Sequence, residues 1–138
     1  MRIENLDKLM RFIRNLGRLP DLASKAFAEE ILSEAVEKAP KRSGRLRRSI
    51  RLKRRRSSYE VSMGGPEAPY APYVEYGSRP HLIRARRSRA LRFEVRGRLV
   101  YVKYVEHPGA KPQRILASAI SAASRNMRDL FGRLLEEI

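Results

Sequence analysis

The sequence predicts an α+β domain. Three observations carry that reading: apolar residues recur at helical spacing near both ends, they alternate with cations through the middle, and Gly and Pro clusters separate the two patterns. The expected architecture is an antiparallel sheet of about four strands packed against N-terminal helices and a long C-terminal helix. A chain of 138 residues is expected to form one domain over 1–138.

The elements follow in order. Ile3, Leu6, Leu9, Met10, Ile13 and Leu16 mark a first helix, with Gly17 as its stop. Pro20-Asp21 restarts the chain, with Asp21 as N-cap. Ala23, Phe27, Ile31 and Ala35 line one face of a second helix, opposite Glu29, Glu30, Glu34 and Glu37. Pro40 ends it near Ala39, because the residue before a proline disfavours the helical region. After Gly44 the period falls to two. Ile50 and Leu52 alternate with Arg51 and Lys53, then Tyr59, Val61 and Met63 with Glu60 and Ser62, which is a hairpin joined around Arg56-Ser57-Ser58. Residues 66–90 are Pro-rich and irregular, with at most a short helical turn at Pro72–Tyr76. Leu91, Phe93 and Val95 form a strand that turns at Gly97. Leu99 to Val105 is apolar on both sides and reads as a central strand. His107-Pro108-Gly109 ends the sheet, and Leu116, Ile120, Ala123, Met127, Leu130, Phe131, Leu134 and Ile138 mark the last helix. Phe27 and Ile31 are expected to pack on the sheet through Leu91, Phe93 and Val102.

Charge is concentrated in the middle. The formal net charge is +16, yet residues 1–40 hold seven cations and seven acids and residues 115–138 three of each. All the excess lies in residues 41–114, and Lys41–Arg56 alone holds ten cations and no acid. A basic middle between neutral ends fits one charged surface, whose partner is nucleic acid, an acidic protein face or anionic lipid. The absence of Cys excludes disulfides and thiolate metal sites. No apolar run approaches the length of a membrane span, and the N-terminus lacks the uninterrupted apolar stretch of a secretory signal.

Three motifs stand out. The first is Ala39-Pro40-Lys41-Arg42-Ser43-Gly44-Arg45-Leu46-Arg47-Arg48-Ser49-Ile50. The second is Tyr70-Ala71-Pro72-Tyr73-Val74-Glu75-Tyr76-Gly77-Ser78. The third is Val105-Glu106-His107-Pro108-Gly109-Ala110-Lys111-Pro112, followed by Arg114-Ile115-Leu116-Ala117-Ser118-Ala119. Gly44 and Gly77 suit tight turns with positive φ, and Ser43 suits a turn cap. Tyr73 and Tyr76 are expected to bury their rings and keep a polar handle. Glu75 is expected to pair with an arginine, and His107 to serve a turn with Pro108 and Gly109. In this order and spacing the motifs resemble the tail-completion or head–tail joining family of long-tailed phages, the gene-product-ten-like neck proteins. The resemblance runs over roughly residues 3–120, with Arg114-Ile115-Leu116 standing where an aromatic is common.

The resemblance implies a structural virion protein at the neck, made in the host cytoplasm. Its subunits would form a ring, commonly a hexamer, around the DNA channel. Its partners would be a portal-side adaptor or stopper and tail terminator or tail-tube proteins, with non-specific contact to double-stranded DNA and no membrane. The residues expected to meet DNA or partners are Arg45, Arg47, Arg48, Arg51, Lys53, Arg54, Arg55, Arg56, Arg84, Arg86, Arg87 and Arg89. Gly44, Tyr73, Glu75, Tyr76, Gly77, His107, Pro108 and Gly109 are motif or interface positions. Catalysis, metal and cofactors are not expected. His81 and His107 are the only imidazoles, and no spacing draws them into a ligand set with Glu75 or Glu106. The alternative is a cellular, sequence-independent nucleic-acid-binding protein using the basic hairpin and loop. It lacks a recognition helix and an aromatic RNA-binding signature.

Overall fold

The computed structural model describes residues 6–42 and 44–137; the expectations for Ile3, Ser43 and Ile138 lie outside the described residues. The class is α+β, with the strands in three two-stranded antiparallel ladders. The chain divides into two compact units. One runs to Ala71 and resumes at Arg114; the other spans Pro72–Gln113.

Helix α1 of the first unit runs from Leu6 to Lys38 without the break expected at Gly17 and Pro20. In a helix interior a glycine costs about 1 kcal/mol and a proline about 3. Packing offsets that cost: Leu19, Pro20, Ala23 and Phe27 share an apolar cleft with Met127 and Phe131 of the C-terminal segment. Asp21 is therefore mid-helix and caps nothing. Its carboxylate instead accepts a hydrogen bond from the Tyr59 hydroxyl, at 3.4 Å to one oxygen.

A single helical turn, α2 (Arg45–Arg48), follows Gly44, whose φ of 68° places it in the left-handed region. Ala39, Leu46, Ser49 and Ile50 are buried around this corner. The Ser49 hydroxyl donates to the Leu46 carbonyl at 2.6 Å and accepts the Gly64 N–H at 3.1 Å. Strands β1 (Arg51–Arg54) and β2 (Tyr59–Ser62) then pair from Arg51↔Ser62 to Arg54↔Tyr59 and pack against α1. The C-terminal helix comes in two pieces, α4 (Ile115–Arg125) and α5 (Met127–Glu136), hinged at Asn126.

The core of this unit is mostly alanine. Ala23, Ala28 and Ala35 of α1 and Ala119, Ala122 and Ala123 of α4 are buried, with Ile115 at the end. Small side chains let the two helix backbones approach closely, so little volume is enclosed between them. Phe27 and Ile31, expected against Leu91, Phe93 and Val102, instead line a cleft with Tyr59, Val61, Leu116 and Ile120. The strand they meet is β2, because the hairpin nearest in sequence occupies that face of α1.

The second unit begins with the rest of α3 (Ala71–Tyr76) and holds β3 (His81–Arg84), β4 (Leu91–Val95), β5 (Arg98–Val102) and β6 (Tyr104–His107). Only Lys103 separates β5 from β6, and the Ala85 N–H donates to the Lys103 carbonyl at 3.2 Å. The β4–β5 and β3–β6 ladders are thus successive stretches of one ribbon, with residues 86–90 inserted into its first strand. Val100 and Val102 are half-buried, as are Val105 and His107, so the inward face shifts by one residue at Lys103. This corrects the reading of Leu99–Val105 as a central strand. The run is apolar on both sides because the faces exchange within it and because the outer face is uncovered: Leu99, Tyr101 and Tyr104 are 57–62% exposed.

Candidate interaction surfaces

The second and third motifs meet within the second unit. Ser78 and Ala110 exchange two backbone hydrogen bonds, at 2.9 and 3.0 Å, and the Gln113 N–H donates to the Val74 carbonyl at 2.8 Å. A Cβ on Gly77, φ 75°, would lie 2.5 Å from the Ala110 carbonyl oxygen. A Cβ on Gly109, φ 86°, would collide with the Ser78 carbonyl. Both glycines are therefore required by the crossing of two backbones, beyond their left-handed conformation. His107 Nδ1 accepts the Gly109 N–H at 3.0 Å, spanning Pro108, and its ring lies 5.0 Å from that of His81, its cross-strand partner.

Helix α3 turns the tyrosine motif inside out relative to expectation. Ala71 and Glu75, four residues apart, face inward and are buried. Tyr73 and Tyr76 face outward, 61% and 81% exposed. A helix this short has one inward stripe, and the small alanine and Glu75 take it. No buried side-chain polar atom among the described residues lacks a hydrogen-bond partner, so the Glu75 carboxylate is satisfied where it sits. Tyr73 and the segment Ser78–His81 line an open depression on this unit.

The arginines expected at a contact surface divide into groups. Arg47 is half-buried, and its Nε donates to the Val36 carbonyl at 3.1 Å, tying α2 to the end of α1. Arg45 and Arg48 are exposed on the same turn. On the first hairpin, Arg51 pairs with Glu67 at 2.7 Å, Arg55 with Glu60 at 2.7 Å, and Arg54 with Asp21 at 3.4 Å while lying over the Tyr59 ring. Lys53 and Arg56 are exposed without an ion-pair partner among the described residues. Arg84, Arg86, Arg87 and Arg89 are exposed on the second unit. Sequence reasoning missed Arg92, Arg96, Arg98 and Lys103, which are exposed on the same ribbon. Their alternation with apolar residues was visible, but that signal was spent on assigning strands. Residues 72–113 hold ten cations and three acids. None of the second unit's cations forms an ion pair among the described residues.

Residues 5–77 match the family model described as "Bacteriophage HK97-gp10, putative tail-component". The chain belongs to this family. The matched segment covers more than half of the 138 residues and ends on Gly77, so it includes the first motif and all of the second but Ser78, and excludes His107-Pro108-Gly109. No curated protein and no solved structure matches the chain. As a member of the HK97-gp10-like family it is a phage tail-component protein, a virion part that works against other virion proteins. Within the family segment, Ala39, Leu46, Ser49, Ile50, Ala71 and Glu75 build the scaffold, while Tyr73, Tyr76 and most arginines point away from it. No helix among the described residues is long and apolar enough to cross a membrane, and no three His, Asp or Glu side chains among them gather as for a metal ion.

Proposed function

We propose that this protein is a subunit of the head–tail connector, the neck that joins a DNA-filled capsid to its tail. In this reading its copies form a ring around the DNA channel, of hexameric order by resemblance. A portal-side adaptor or stopper lies on one side and tail terminator or tail-tube proteins on the other. The observation that carries the reading is the family match through motifs whose buried residues are structural and whose tyrosines are exposed. Exposed aromatic rings and arginines are side chains that protein interfaces favour. Particles assembled without this protein are expected to show filled heads and separate tails; fully joined, infectious particles would remove the assignment.

The second unit also favours contact with the DNA in that channel. Its ten cations outnumber its three acids and form no ion pair among the described residues, and a two-stranded ribbon bearing arginines suits a phosphate backbone. The first hairpin is the weaker candidate, since three of its five cations are already paired. Replacing Arg84, Arg86, Arg87 and Arg89 with Gln is expected to flatten the salt dependence of duplex binding by about 0.9 slope units per lost phosphate contact. The same change at Arg51, Arg54 and Arg55 is expected to alter it less. A titration at two salt concentrations beside a head–tail joining assay separates DNA contact from partner contact. Undiminished DNA affinity with failed joining would assign the loop arginines to acidic protein partners.

A further inference from the structure

The N-terminal half of α1 is a surface that neither the core nor the charge pattern accounts for. No residue from Leu6 to Leu22 is buried. Leu6, Leu9, Met10, Phe12, Ile13 and Leu16 are each 40–53% exposed. An apolar patch of this extent on a free monomer marks an interaction site.

The pattern of these residues says more than their number. Leu6, Leu9, Ile13 and Leu16 follow the three–four spacing of heptad positions a and d, while Met10 and Phe12 fall at the flanking e and g positions. At roughly 100° per residue the apolar side chains and Gly17 span an arc of about 160°. Asp7, Lys8, Arg11, Arg14 and Arg18 all fall outside that arc. A Cβ on Gly17 would meet nothing within 4 Å, so the arc is also open to close approach.

The charge decides the occupant. A protein of net +16 repels its own copies wherever cations line the contact. The stretch Lys41–Arg56 is such a place, because it holds ten cations and no acid. The α1 arc is a broad apolar surface into which no charge intrudes, so a second copy can dock there while its cations face away. The width of the arc sets the arrangement. A two-stranded coiled coil needs only the a and d seam and carries charges at e and g. Apolar residues at all four positions fit a helix flanked by two neighbours.

We infer that the Leu6–Gly17 arm of α1 is a self-association surface on which each copy packs between the arms of two other copies of this chain, in an assembly of three or more. This deepens the ring reading above by giving the ring an interface, and it can fail independently of that reading.

The chain has no Cys, so single-cysteine variants report contacts without background. Leu9→Cys and Ile13→Cys lie in the arc; Arg11→Cys and Arg18→Cys lie opposite. All four positions are exposed, and circular dichroism checks that each variant folds. Under mild oxidation, at high protein concentration and in assembled particles, the arc variants are expected to form disulfide-linked copies and the opposite variants none. The double variant M10C/F12C is expected to give a ladder of trimers and longer products, where a simple pair would stop at dimers. Equal cross-linking at all four positions, a cross-link only to a different virion protein, a ladder that stops at two, or no cross-link in either preparation would each overturn the inference. Heads and tails that join without the protein, in a system where the ladder forms, would sink the neck reading and leave this surface standing.

Discussion

In the first unit, α1, α4 and the β1–β2 corner bury an alanine-rich core, and the acids on that surface neutralise neighbouring cations. In the second unit the only buried residue is Glu75, no apolar side chain is fully covered, and the cations have no internal ion pair among the described residues. Two-stranded ribbons are marginal in water by themselves. The difference teaches where this chain stores its stability and where it keeps surface in reserve for other molecules.

The sharpest probe is a glycine. Gly109→Ala forces a Cβ into the Ser78 carbonyl, and a loss of about 4 kcal/mol or more is expected in chemical denaturation. Gly97 has a similar φ, 77°, but open space around it, so Gly97→Ala should cost only the left-handed strain of about 1–2 kcal/mol. Equal costs would mean that the backbone crossing is unimportant. Next comes the core. Leu46→Ala is expected to cost about 3 kcal/mol, because the side chain is 4% exposed. Phe93→Ala should cost less, about 1–2 kcal/mol, because that ring is only half-buried. A Phe93 effect as large as that of Leu46 would reveal a real core in the second unit and break the comparison.

Ser49→Ala strips the Gly64 N–H of its acceptor, and about 1–2 kcal/mol of destabilisation is expected. The smallest effect is a gain. Arg96, at φ 50°, and Gly97 form the β4–β5 turn with two successive left-handed residues. Asparagine tolerates that conformation better than arginine, so Arg96→Asn should raise stability by about 0.5 kcal/mol. A loss instead would show that the Arg96 side chain holds a partner.

Much of this was legible in advance, and the failures have physical causes. Period-two alternation located β1, β2 and β4, the apolar run after Gly97 located β5, and the three-to-four spacing located the helical segments, because these patterns are set by local geometry. The continuity of α1 through Gly17 and Pro20 was not legible. Local propensity predicts a break there, and only packing against α5 overrides it. The alanine core was legible only in part: Ala23, Ala35 and Ala123 stood on the apolar faces, but Ala28, Ala119 and Ala122 did not, because pattern reading weights large side chains whereas helix approach is set by small ones. Tyr73 and Tyr76 were placed inside on the strength of ring hydrophobicity, but the inward stripe of α3 is fixed by Ala71 and Glu75. Among the surface cations, strand alternation predicted which would face solvent. It carried no information about which would find an acid, since Asp21 lies 33 residues from Arg54.

The crossing of Gly77-Ser78 with Gly109-Ala110 also sets an order of events during folding. It closes a loop of about thirty residues, and closing a flexible loop of that length costs about 3 kcal/mol of chain entropy. The Arg96–Gly97 turn has no such cost, so the ribbon is expected to zip from its tip inward, with the crossing formed late. Interactions made after the rate-limiting step slow unfolding without speeding folding. The two motif glycines therefore act as a latch: they set how long the second unit stays closed once formed, and leave the rate at which it forms to the turn at its far end.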